Sequence, residues 1–128
     1  MRSIVLGAAA GIALASPAHA LDINSLRAQH RLPPLSYSST LASVAQAHAY
    51  DLARRNHLDH RGFRARIVGT PAAENVGYGC ADQACAVAHW ARSSGHRRNM
   101  LMHGVSAYGI ADAVSANGRH YWVLELGN

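Results

Sequence analysis

The chain has no lysine. All twelve of its basic residues are arginine, set against seven acids for a formal charge of +5. Charged residues make up only 15% of the chain and aromatics only 6%, with one phenylalanine, whereas apolar residues reach 49%. That balance excludes a disordered chain, which lacks the apolar surface to build a core, and a collagen-like fibre. Apolar stretches of membrane-spanning length are missing too, which excludes a multi-span membrane protein. Residues 21–128 contain no internal repeat, low-complexity tract or linker. A chain of 128 residues has room for one domain and not two.

The one extended apolar run lies at the start. Met1-Arg2 is a short positive segment, Ile4 to Ala15 is uncharged and apolar, and Ser16-Pro17-Ala18-His19-Ala20 ends in a small-x-small pattern. This arrangement predicts a secretory signal peptide over 1–20, shorter than the roughly 20 apolar residues of a membrane span. Leu21 rather than Cys follows the expected cut, so no lipoprotein anchor is expected. The mature chain would be 21–128, with eleven arginines and seven acids for a net charge of +4. The expected destination is the periplasm or the extracellular medium.

Cysteine is scarce, with only Cys80 and Cys85, which enclose four residues in Gly-Cys-Ala-Asp-Gln-Ala-Cys. An oxidising compartment favours a disulfide between them. Closing so short a loop stabilises by roughly 2 kcal/mol in the chain-entropy model. The rival, a thiolate metal site, lacks both the usual two-residue gap and a second cysteine pair.

Periodicity predicts a short helix over 23–31, capped by Asp22 and stopped by Pro33-Pro34. A longer helix is expected from Ser39 to Asn56, with Leu41, Val44, Ala45, His48, Ala49, Leu52 and Ala53 on one face. Arg54 and Arg55 fall at its C-terminal end, where the helix dipole favours cations. Residues 57–71 read as irregular, and a further helix runs from Asp82 to Arg92 with Ala86, Val87 and Trp90 inward. Tyr108 to Val114 and Arg119 to Leu126 read as strands joined at Asn117-Gly118, a hairpin signal, and Val76 to Gly79 as a short strand. Helices beside a small antiparallel sheet give an α+β class.

Three strings concentrate polar residues that a packed core does not need: His57-Leu58-Asp59-His60-Arg61-Gly62, Ala73-Glu74-Asn75-Val76-Gly77, and Trp90 through Met100 with Ser93 and His96. Two His and one carboxylate form a ligand set used by open zinc sites, but spacing alone does not bring these three together, and no H-E-x-x-H helix is present. Ser93 lacks a Gly-x-Ser-x-Gly elbow, so its hydroxyl is expected to hold a helix end or a cavity water rather than attack a substrate. His48, among apolar neighbours, reads as a satisfied core histidine. His57 reads as solvated, or as a partner of His60. Trp90 and Trp122 read as core. The arginines at 54–55, at 61, 64 and 66, and at 97–98 read as a solvated face or a weak contact for an anionic partner. No interleaved aromatic platform suits specific nucleic-acid binding.

Taken in order, these segments closely resemble the CAP superfamily of cysteine-rich secretory proteins, antigen 5 and plant pathogenesis-related 1 proteins, in its bacterial SCP-like extracellular form. The opening Asn24-x-x-Arg27, Arg31-Leu32-Pro33-Pro34-Leu35 and His48-Ala49-x-x-Leu52-Ala53 match its start. Leu58-Asp59-His60 resembles its first histidine motif and Ala73-Glu74-Asn75-Val76 its Glu-Asn motif. Trp90-x-x-Ser93-x-Gly95-His96-Arg97-x-Asn99-Met100-Leu101 resembles the second histidine motif, and Tyr108-Gly109-Ile110 and Tyr121-Trp122-Val123 its closing strands. The resemblance implies a three-layer α-β-α sandwich over 21–128, with a cavity lined by two His and acidic residues that binds Zn²⁺ in some relatives. Here those positions are His60, Glu74 and His96, while the family's second cavity glutamate is Ser93.

The resemblance also implies an exported protein that acts by binding, its ligand a lipid or an envelope or host surface, with no catalytic residue assigned. Two other readings are a metal-assisted hydrolase of amides or esters and a structural envelope protein with a vestigial cavity.

Overall fold

The computed structural model describes residues 21–128; the signal-peptide reading falls on 1–20, outside the described residues. The elements in chain order are α1 (Ile23–Gln29), β1 (Ser36–Tyr37), α2 (Ser39–Arg55), α3 (Phe63–Arg66), β2 (Ala73–Tyr78), α4 (Gln83–Ala91), α5 (Ser94–Met100), β3 (Ala107–Val114) and β4 (His120–Gly127). Side-chain oxygens cap three helices: Asp22 accepts from the Ser25 amide, Ser38 from Leu41 and Asp82 from Cys85. Each satisfies a donor that the first helical turn leaves free. Asn56 ends α2 in the left-handed region at φ 53°.

The sheet runs β1-β3-β4-β2. β4 is central and antiparallel to both β2 and β3, and the hairpin turns at Gly118 with φ 83°. The two residues of β1 join β3 in parallel, so the sheet is mixed rather than purely antiparallel. Strand alternation sorts the side chains into two cores. Tyr121 and Val123 of β4 pack with Val76 and Ala113 against Ala45, Ala49, Leu52 and Ala53 of α2. Trp122, Leu124 and Leu126 face the other way, onto Ile23, Leu26, Val87, Trp90 and Met100 of α1, α4 and α5. The result is the three-layer α-β-α arrangement.

Two contacts set the layer spacing. Gly109 of β3 lies directly under the start of α2, where an added Cβ would sit 2.0 Å from the Ala42 amide nitrogen. Arg27, buried in α1, donates to the carbonyls of Pro33, Met100 and Met102 and so ties α1 to the end of α5. Cys80 and Cys85 are disulfide-bonded, pinning the β2 exit to α4. Sequence periodicity missed β1, α3 and α5, and it started β2 three residues late.

Candidate functional site

The Glu-Asn dipeptide in β2 organises the site because neighbouring strand residues face opposite layers. Glu74 points to the α2 side and Asn75 to the α5 side, and both are buried. Glu74 Oε1 accepts from His60 Nδ1 at 2.8 Å, and Arg66 Nη2 donates to Glu74 Oε2 at 2.5 Å. On the other face Asn75 Nδ2 donates to the His96 carbonyl at 3.0 Å, and Asn99 Nδ2 donates to Asn75 Oδ1 at 2.9 Å. One dipeptide thus positions the segments carrying both histidines. The loop before His60 is held from α2: Arg55 bridges Asp51 and Asp59, and buried His48 donates through Nε2 to the Asp59 carbonyl at 2.9 Å.

Glu125 is a site residue that sequence reading did not single out. It faces Glu74 directly across the β2–β4 register and is fully buried. Arg66 Nε lies 3.6 Å from its Oε1, and neither of its oxygens receives a hydrogen bond. One guanidinium cannot balance two buried carboxylates, so one carboxyl keeps its proton. Burial, then the adjoining Glu74 carboxylate, push Glu125 up to about 10. Burial also opposes charge on Glu74, but hydrogen bonds from Glu125, Arg66 and His60 outweigh it and hold Glu74 below its ordinary value. Glu125 is therefore the neutral carboxyl and Glu74 the anion. The available signal was an acid in the middle of an otherwise apolar strand, Tyr121-Trp122-Val123-Leu124-Glu125-Leu126.

His60 is exposed at the surface end of this network, and its Nε2 is left free when Nδ1 carries the proton. His96, half-buried, lines a neighbouring cavity of about 380 Å³ with Leu58, Val76, Trp90 and Ser93. Burial lowers the pKa of His96, and charge on His60 and His89 lowers it further. Ser93 stands at the N-cap of α5, but its hydroxyl makes no capping bond, so it does not hold that helix end. His57 is exposed, lies 3.9 Å from Asp59 and makes no hydrogen bond to His60, whose Nδ1 is taken by Glu74. His48 is buried as expected, and its Nε2 also comes within 3.6 Å of Glu74.

Of the expected trio, the structure joins His60 to Glu74 in a pocket shared with Phe63 and Asn99, whereas His96 and Ser93 line the cavity of about 380 Å³ next to it. Among the described residues no three His, Cys, Asp or Glu side chains converge as a metal-holding group. Both Glu74 oxygens are occupied, so this carboxylate orients His60 and leaves two imidazoles as the donors suited to Zn²⁺. Two arginines read as surface charge, Arg55 and Arg66, are spent on internal carboxylates.

A family model described as "CAP: Cysteine-rich secretory protein family" matches residues 22–126. The chain is 29% identical over 101 residues to the "Uncharacterized membrane protein YlbC" of Bacillus subtilis, covering 70% of this chain and spanning 29% of that protein's length. Among solved structures, an outer surface protein of Borrelia burgdorferi is similar at a TM-score of 0.71 and 20% identity, over 83% of this chain and 86% of that one. NaASP2, solved with Zn²⁺, is similar at 0.61 and 16% identity, over 82% and 74%. Among the described residues no helix is long and apolar enough to cross a membrane.

Proposed function

The chain belongs to the cysteine-rich secretory protein (CAP) family, and on that premise we propose that it is an exported protein that acts by binding at the cavity around His60, Glu74, Ser93 and His96. Export rests on the signal-peptide pattern of 1–20 and agrees with the surface location in the name of the Borrelia protein. The observation that carries the binding reading is the state of His60: Glu74, held by Arg66, accepts a hydrogen bond from its Nδ1–H and leaves Nε2 free. A carboxylate behind a histidine orients the ring and raises its basicity as a ligand. Zn²⁺ would rest on His60 and His96, with Glu74 behind His60, and would supply a Lewis-acid centre when bound. Its presence in the NaASP2 structure supports this assignment.

Binding is favoured over hydrolysis because no cavity carboxylate is free to act as a base: Glu74 is ion-paired and Glu125 is buried and neutral. The occupant of the cavity in the cell would be a lipid or a component of an envelope or host surface. Calorimetric titration of chelator-stripped protein with Zn²⁺ tests the metal assignment. The expected result is one-to-one binding that weakens on acidification, because ligand imidazoles must be neutral. His60→Ala/His96→Ala protein should lose it, and equal binding by that variant would refute the assignment.

A further inference from the structure

β2 is an edge strand, and its outer side borders the cavity just described. The Gly79 N–H donates to the His120 carbonyl at 2.9 Å, which fixes Gly79 and His120 as a hydrogen-bonded pair. Such pairs alternate along an antiparallel ladder, so Ala73, Asn75 and Gly77 also bond β4. Glu74, Val76 and Tyr78 therefore turn their backbone N–H and C=O groups outward. Two of these carbonyls are occupied, Glu74 by Asn99 Nδ2 at 3.4 Å and Val76 by the Trp90 indole at 3.2 Å. Among the described residues, the N–H of Val76 and both backbone groups of Tyr78 have no hydrogen-bond partner.

An open edge is a template for another strand unless charge, proline, a bulge or a covering element blunts it. Val76-Gly77-Tyr78 carries no charge, proline or bulge; Trp90 of α4 covers the Val76 carbonyl, and the cavity of about 380 Å³ opens along the rest. No carboxylate lines this part of the site, since Glu74 faces the neighbouring pocket with His60. Its ionisable side chains are His89, His96 and Tyr78, and the Arg119 guanidinium stacks 4.6 Å from the Tyr78 ring centre. The described carboxylates are engaged within the fold, as helix caps, in pairs with arginine or histidine, or as the Glu74–Glu125 couple. A cationic side chain entering the groove would find no counter-charge.

We propose that the outer edge of β2 at Val76–Tyr78 receives an extended acidic peptide, which adds a short strand to the sheet and directs a carboxylate toward His89 and His96. The proposal rests on the reading of this cavity as a binding site, and it names the chemistry of the occupant. Main-chain hydrogen bonds to the edge would give affinity, and the histidine-lined wall would give the preference for acid.

The test uses chelator-treated, disulfide-bonded protein and an end-blocked Val-Glu-Val-Glu-Val peptide, followed by amide NMR. Shifts should concentrate at Val76, Tyr78 and His96. A peptide with the same side chains but alternate backbone nitrogens methylated should bind at least about tenfold more weakly, as should one with Gln in place of Glu. Tyr78→Pro should bind about tenfold more weakly than Tyr78→Ala, since both lose the ring and only proline loses the N–H. That N–H points away from β4, so the ladder survives. If Tyr78→Pro fails to fold, the methylated peptide decides alone. Equal binding of the methylated peptide, shifts away from β2, or the same shifts with free glutamate (a simple anion site) would each overturn the proposal. Zn²⁺ titration of the same preparation is an independent readout, so loss of peptide binding with metal binding intact would count against the docking proposal alone.

Discussion

At the residue scale the site is decided by proton placement among Glu74, Glu125 and Arg66. Glu125 ionises near 4.5 in an unfolded chain but only up toward about 10 in the folded protein. Between those limits the native state binds more protons than the unfolded state, so this group lowers stability as pH rises through that window. Below about 4.5 both states are protonated and the contribution vanishes. Glu125→Gln keeps the size of the side chain and cannot ionise. It is expected to raise stability by on the order of 2 kcal/mol at about pH 8 and to change little at about pH 4. Urea denaturation of both proteins at the two pH values checks this, and an equal effect at both would contradict the protonation assignment. His60, Glu74 and His96 were named together from the family motifs, which survive as contiguous strings, and not from spacing. Glu125 and Arg66 were not, because cross-strand register and a single turn of helix brought them to Glu74, and neither leaves a local pattern.

At the element scale, legibility followed burial. α2 has a continuous buried stripe of Ala45, His48, Ala49, Leu52 and Ala53, and its period declared it. α5 buries only Met100, α3 buries nothing and β1 is two exposed residues, so none of them has a periodic face to read. The start of β2 was hidden because its first buried residues include Glu74 and Asn75, polar side chains that break the apolar pattern of a strand. The joints between elements are equally specific. Gly109→Ala would drive a Cβ to 2.0 Å from the Ala42 nitrogen and 2.2 Å from the Leu41 carbonyl carbon, both backbone atoms. We expect a loss of roughly 3 kcal/mol or more, read as a lower denaturation midpoint. Arg27→Met preserves much of the buried volume but orphans the carbonyls of Pro33, Met100 and Met102. It is expected to cost on the order of 3 kcal/mol, with faster amide exchange at the junction of α1 and α5.

At the scale of the whole molecule, the two histidines come from opposite sides of one edge strand. His60 hangs from Glu74 on the α2 side, and Asn75 holds the His96 backbone on the other. The order of motifs along the chain pointed to one cavity; the packing puts His96 in the cavity beside Trp90 and His60 with Glu74 in the pocket next to it. The central claim is that Glu74 orients His60 while His60 and His96 present imidazole nitrogens to one occupant. Imidazole ¹⁵N NMR during Zn²⁺ addition tests it most directly. The account predicts that His60 is protonated at Nδ1 before metal, and that the Nε2 signal of His60 and one ring-nitrogen signal of His96 move together toward a one-to-one end point. If His60 carries its proton on Nε2, or if Zn²⁺ first moves His30, His103 or His120 and leaves these two unchanged, the account is contradicted.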